Sequence, residues 1–240
     1  MRPAPSDRWQ PASQWGRCPH SAFAWFVENC VPESYEQEAR VRGISIHQLL
    51  SEKLSTYKAG ASGLLALDWF NGVRTPLMDF NLNGLIMGMN LLTKPEEIYL
   101  SLIEATAYGT RMIIEGFEEA GLEVKDITLS GGIPIKNEML VQVYSDVCNR
   151  KIKVVDSTQS SALGAAILGA AAAPERITGF KNANEAAKKL GKVKDKVWEP
   201  NQDNVEIYNE LYEEYKTLHT YFGTGINDVM KHLNNIRERR

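Results

Sequence analysis

Ser130-Gly131-Gly132 is the segment whose residue types point most directly to chemistry. A short apolar stretch, Ile127 to Ser130, runs into it, and an amphipathic stretch follows from Lys136. Ligands of open α/β sheets bind at such carboxyl ends of strands. Glycine lets backbone approach a ligand, and the free N–H groups of the turn can meet phosphate or adenine edges. Taken alone, a Gly-Gly pair after a strand is more often a plain tight turn. Lys136 and Asn137 either touch a ligand held at that turn or simply start the next helix. Asp68, Asp79 and Glu104 have the chemistry of acids, bases or magnesium ligands. No pair among them has diagnostic spacing, so each reads first as a cap or a surface charge. Cys18, Cys30 and Cys148, with four equally scattered histidines, lack metal-ligand spacing. An odd, dispersed cysteine set points to a reducing cytoplasm without a disulfide framework.

The elements that must position the turn follow from periodicity. FAWFVENC from Phe23, the stretch Glu33 to Arg40, and Ile44 to Ser55 read as helices. Leu64 to Trp69 has strand length and ends at the turn pair Asn71-Gly72, and a glycine-punctuated loop follows to Asn90. Pro95, Glu96 and Glu97 open a helix that runs to Ala120 and stops at Gly121. Its face Ile98, Leu102, Ala105, Gly109, Met112, Gly116 is small enough for another element to pack closely. Strand, helix, strand and helix then alternate: Ile127 to Ser130, Lys136 to Arg150, Ile152 to Val155, and a helix capped by Ser157 or Thr158. This order argues for parallel pairing through right-handed crossovers. The small-residue stripe Gly164, Ala165, Gly169 reads as a close helix–sheet contact, and Trp25 and Trp69 as core. After Pro174 the chain turns polar and reads as a helical extension, 175–240.

The 240 residues carry 27 Lys plus Arg against 30 Asp plus Glu, a formal charge of −3. Hydrophobic residues are 43% and charged residues 24%, the balance of a globular chain rather than a disordered one. There is no basic footprint for nucleic acid. No apolar run reaches the roughly 18 residues of a membrane helix. Residues 1–22 differ from the rest: they hold Pro3, Pro5, Pro11 and Pro19, Trp9 and Trp15, and no periodicity. They read as an irregular leader ahead of one domain, 23–240.

The order of the motifs adds a resemblance. Gly84-Leu-Ile-Met-Gly88-Met89, followed by Ile98, Ser101, Ile103 and Glu104, resembles the second signature of the FGGY carbohydrate kinases. Ser130-Gly131-Gly132 with Lys136, Asn137, Gln142 and Asp146 resembles the family's adenosine motif, and Ser160 to Ala166 its Ala-Leu-Gly-Ala-Ala helix. LDWFNG, GLIMGMNLLT, SGGIPIKN and YFGTGINDVM are similar to the bacterial L-ribulokinase branch. The likeness covers about Phe23 to Arg240.

The resemblance implies an α/β fold: an actin/hexokinase-type, ribonuclease-H-like ATPase domain, the C-terminal half of such a kinase, with an incomplete sheet. It implies ATP and Mg2+ as cofactors, ATP or ADP as ligand, and phosphoryl transfer to a ketopentose. Gly131 and Gly132 would face adenosine, with Lys136 or Asn137 on the adenine or ribose, while Asn71, Gly72, Gly84 and Gly88 would support the cleft. The family's Asp-x-Gly-Thr phosphate loop is not found, and its catalytic Asp and most of its sugar pocket belong to the N-terminal half. No catalytic residue is therefore assigned, and the sugar would bind only with that half present. The alternative is a non-catalytic module that binds nucleotide weakly or pairs with another chain. The leader reads as a junction foreign to the family, the other reading being a divergent natural leader. Missing strands would leave an open sheet edge through which the chain could associate with itself.

Overall fold

A computed structural model describes residues 20–239. The leader expected over 1–22 lies outside these residues, apart from the start of the first helix. The N-terminal region folds as α1 (His20–Cys30), α2 (Glu33–Arg42) and α3 (Ile46–Lys53). A two-stranded antiparallel ribbon follows, β1 (Leu65–Leu67) with β2 (Leu85–Met87), in register Leu65 to Met87. β2 falls where the sequence reads as loop, because Gly84 and Gly88 bracket only three apolar residues. Both glycines are required by packing. A Cβ on Gly84 would lie 2.7 Å from the Phe70 ring, and one on Gly88 only 2.3 Å from the Gly63 carbonyl oxygen.

The spine is α4 (Pro95–Glu119), 25 residues long. Pro95 occupies its first turn, and the Glu97 carboxylate accepts from the Lys94 N–H at 2.7 Å. Gly121, at φ +84°, closes it by donating to the Glu118 carbonyl at 2.9 Å. Tyr99 to Tyr108 are buried on every side of the helix. α1 brings Phe23 and Phe26 against Tyr99. α3, β1, α6 (Glu138–Cys148) and α10 (Gln202–Gly223) cover the other faces. The expected close approach occurs at Gly109, where a Cβ would stand 3.5 Å from the Tyr215 hydroxyl. At Gly116 nothing lies within 4 Å, so the small-residue contact stops short of the helix end.

The second sheet has order β3-β4-β5. β3 (Asp126–Leu129) pairs in parallel with β4 (Lys151–Val155), Ile127 opposite Ile152 and Leu129 opposite Val154. α5 (Gly132–Lys136) and α6 (Glu138–Cys148) make the crossover between them. β5 (Val193–Trp198) adds antiparallel to β4, with Trp198 opposite Ile152. The stretch expected to be a helical extension thus also supplies a strand. Its remaining elements are α8 (Glu175–Thr178), α9 (Ala183–Leu190), α10 (Gln202–Gly223) and α11 (Val229–Glu238). No helix among the described residues is long and apolar enough to cross a membrane.

α7 (Ser160–Ala172) departs from expectation. Its N-cap position is Gln159, with no side-chain capping bond, and none of its residues is buried. A Cβ on Gly164 or Gly169 would meet nothing within 4 Å, so the stripe makes no close helix–sheet contact. Trp69 is core, but Trp25 is 43% exposed and leans on Phe70.

Glu104 is 2% exposed inside the spine and accepts a 3.1 Å hydrogen bond from the Tyr208 hydroxyl. Burial pushes its carboxyl up to about 8, and that of Asp68 up to about 6. Both groups ionise less readily in the folded chain than in the unfolded one. Their contribution to stability is full below the ordinary carboxylate range and is lost as pH rises through 6 and 8. Glu104→Gln keeps an acceptor for Tyr208 without the ionisation. The melting temperature of Glu104→Gln minus that of the native chain should therefore grow from pH 5 to pH 9, and a difference independent of pH would contradict this account.

Candidate functional site

The Gly131-Gly132 turn stands at the carboxyl end of β3, the inner parallel strand's neighbour, with α5 leading away from it. Gly131 takes φ +103°, a conformation that side chains with a Cβ rarely adopt. The space beside both glycines is open, since an added Cβ on either would touch nothing within 4 Å. A plain tight turn would tolerate that openness, and so would a turn built for backbone approach to a ligand.

Two strands deliver the surroundings. β4 ends beside the turn, and the Asp156 N–H donates to the Lys192 carbonyl at 2.8 Å, holding the start of β5 there. Lys194 of β5 reaches the Ile135 carbonyl at 3.4 Å and so ties α5 to the sheet. Lys196 pairs with Glu138 at 2.6 Å and lies 4.9 Å over the Trp198 ring. Lys194 and Lys196 of the extension thus hold α5 and the start of α6 against the sheet.

The two residues after α5 divide their roles. Asn137 is 8% exposed, and its Oδ1 accepts from the Leu140 N–H at 3.0 Å, capping α6. Lys136 is exposed, and no carboxylate among the described residues pairs with it. Gln142 and Asp146 face structure instead. The Asp146 carboxylate accepts from Gln142 Nε2, from the Asn201 N–H and from Asn204 Nδ2, each at 2.8 Å. Gln142 also donates to the Glu199 carbonyl at 2.9 Å. The pair thus moors the start of α10 and the end of β5 to α6.

None of the acids singled out by type reaches the turn. Glu104 belongs to the spine. Asp68 lies near Gly109, where a Cβ would stand 3.8 Å from its Oδ1. Asp79 accepts from the Asn81 N–H at 2.9 Å and pairs with Lys231 at 3.2 Å. Among the described residues no group of three His, Cys, Asp or Glu could hold a metal ion. Asn71 and Gly72 belong to the turn after β1, where Gly72 packs 2.5 Å (as a Cβ) from the Phe80 backbone. A shallow cavity of about 220 Å³ opens at the far end of α6, between Arg111, Glu115, Glu118, Cys148 and Arg150. Its arginines are neutralised by Glu115 at 2.9 Å and Glu118 at 2.7 Å. What sequence reasoning missed is the contribution of β5, whose alternating lysines hid a strand.

Comparison with known proteins places this geometry. The description "FGGY family of carbohydrate kinases, C-terminal domain" matches residues 13–173, starting inside the stretch read as a leader. The chain is 51% identical to a ribulokinase of Halalkalibacterium halodurans over 211 residues, which are 88% of this chain and 38% of the relative. It is 49% identical to a ribulokinase of Anoxybacillus flavithermus over 216 residues, 90% of this chain and again 38% of the relative. The chain thus spans well under half the length of the curated relatives it matches. Among solved structures, xylulose kinase from Rhodospirillum rubrum superposes with a TM-score of 0.64 at 22% identity, covering 84% of this chain and 37% of that one. Plasmodium falciparum glycerol kinase with ADP gives 0.61 at 21%, covering 84% and 36%. The fold is accordingly that of these sugar kinases, of actin/hexokinase type, with part of the domain's sheet represented.

The division of roles around α5 is open to test by urea unfolding. Asn137→Ala should cost about 1 kcal/mol as a lost helix cap. Asp146→Ala, which strands three donors, should cost about 3 kcal/mol. Lys136→Ala should stay within about 0.5 kcal/mol of the native chain. A destabilising Lys136→Ala would show that the lysine is structural.

Proposed function

This chain belongs to the FGGY family of carbohydrate kinases, as their C-terminal part, and we propose that it is the nucleotide-binding portion of a ribulokinase-like enzyme. On this reading the Gly131-Gly132 turn holds the adenosine of ATP or ADP. The observation that carries the proposal is the place of this open, glycine-requiring turn at the carboxyl end of β3, within residues that match the C-terminal domain of the FGGY kinases. The relatives named ribulokinase and the glycerol kinase solved with ADP support it. Lys136, exposed beside α5, contacts the adenine or ribose, while Asn137, committed to its cap, positions α5. The reaction is transfer of the γ-phosphoryl group of ATP to a ketopentose hydroxyl in the cytoplasm. Positioning and charge neutralisation dominate such chemistry. Magnesium would supply that neutralisation, but the described residues offer no donor set for it, so no step is assigned to residues here. The carboxylate base and the sugar contacts come from the N-terminal part of a kinase of this family.

Two measurements test the reading. Calorimetry should show weak binding of ADP at millimolar concentration, abolished by Gly132→Val with an unchanged melting temperature. A folded chain that binds no nucleotide, or a variant that binds as well, would leave Gly131-Gly132 a plain turn. Assayed alone with ATP and L-ribulose, the chain should show no turnover, since loss of a general base by itself costs a factor of roughly 10² to 10⁴. Turnover near that of a full-length relative would refute the division of labour.

A further inference from the structure

Asn137 stands between α5 and α6 and serves both. Its backbone N–H donates to the Ile133 carbonyl at 2.9 Å and so closes α5. Its Oδ1 accepts from the Leu140 N–H at 3.0 Å and so starts α6. The Nδ2 end of the amide is then left to donate. It meets the Tyr99 hydroxyl of α4: burial raises that phenol to about 12, and the hydrogen bond with the Asn137 side chain pulls the other way. A hydrogen bond that favours an ionised phenol is one donated to its oxygen, which is what the Nδ2 end offers.

The Tyr99 proton has an acceptor of its own. His47 Nδ1, on α3, lies 3.2 Å from the hydroxyl. Burial holds the His47 ring below its ordinary pKa, which favours the neutral form with one nitrogen free to accept. Since Asn137 donates to Tyr99, Tyr99 donates onward, and the ring proton of His47 belongs on Nε2. The direction is the same throughout, from Asn137 Nδ2 to Tyr99 and from Tyr99 to His47. Tyr99 itself is held in place: it is 3% exposed, with the ring centroids of Phe23 and Phe26 at 5.6 and 6.2 Å.

A buried tyrosine hydroxyl is satisfied by one partner, and a helix cap uses one side-chain oxygen. Here three polar side chains from distant parts of the chain are joined with matched donors and acceptors. The joined end falls on the residue that terminates α5.

We infer that Tyr99 and His47 are positioning residues for the Gly131-Gly132 turn, which they hold through Asn137 by fixing the far end of α5. α5 is five residues long and starts at Gly132, so a rotation at its end is passed to the turn. The Lys194 contact with the Ile135 carbonyl, at 3.4 Å, is a second tie on the same helix. What the turn holds rests on the nucleotide reading; how the turn is held does not.

The test compares amide spectra of the full, isotopically labelled chain without nucleotide, followed by titration with ADP. Tyr99→Phe and His47→Leu should each move the Gly131, Gly132 and Lys136 amides and the Asn137 side-chain amide. Each should weaken ADP binding about fivefold, as loss of one hydrogen bond would. His47→Asn places an oxygen where Nδ1 stands and should restore both the spectrum and the affinity. In the native chain the His47 ring nitrogens should report the Nε2–H tautomer. Ser45→Ala removes the side-chain cap of α3 and should lower the melting temperature while leaving the turn's amides in place. Identical spectra for His47→Leu and His47→Asn would overturn the inference, as would a Ser45→Ala chain whose turn moves as much. So would a Tyr99→Phe chain with unmoved turn amides. A native chain that binds no ADP sinks the nucleotide reading alone, because the spectra without nucleotide still decide how the turn is held.

Discussion

The burial of α4 on every side is the constraint on which the rest of the structure depends. A surface helix needs one apolar stripe, but Tyr99 to Tyr108 are all inaccessible. Five elements must therefore close around one helix: α1, α3, β1, α6 and α10. Such a helix can carry polar groups only when they are satisfied, and α10 supplies what Glu104 requires through Tyr208. Tyr212 and Tyr215 continue the same face of α10. Tyr212 donates to Glu115 at 2.7 Å, and Arg111 lies 4.2 Å over its ring. α10 is thus part of the core, although it follows the family's matched residues.

From that spine the site is reached in two steps. α4 holds α6, and α6 sets the parallel pair β3 and β4, at whose carboxyl ends the glycine turn sits. Arg150 locks the other end of this arrangement, donating to the Val124 carbonyl at 2.9 Å and pairing with Glu118 at 2.7 Å. The sheet is fixed at one end by ion pairs and left accessible at the other. The strands thus aim a turn with open space beside its backbone. Among the described residues β3 pairs along one side only, with β4.

Much of this was legible in the residues, for identifiable reasons. α4 is long, strongly periodic and marked at both ends by Pro95 and Gly121, so its limits were readable almost to the residue. The parallel pairing of β3 with β4 followed from the strand–helix alternation. β5 was not readable, because an edge strand protected by lysines has the composition of a surface loop. β2 was hidden by flanking glycines that serve close packing. α7 misled in another way: its small residues suggested a close helix–sheet contact, but an added Cβ on Gly164 or Gly169 would meet nothing within 4 Å. At the candidate site, the Gly-Gly turn was visible from its types and the motif order. The place of Asn137 at the start of a helix was one of its two readings, but the mooring role of Gln142 and Asp146 was not visible, because their partners Glu199, Asn201 and Asn204 stand on a distant stretch of the chain.

The most direct test of the central claim, that this is the nucleotide-holding portion of a sugar kinase with adenosine at the Gly131-Gly132 turn, is amide chemical-shift mapping of the isotopically labelled chain during titration with ADP. The account predicts the largest shifts at Gly131, Gly132 and Lys136, with α10 and the Arg111–Arg150 cavity silent. Shifts centred on that cavity, or none at all in a folded chain at millimolar ADP, would contradict it.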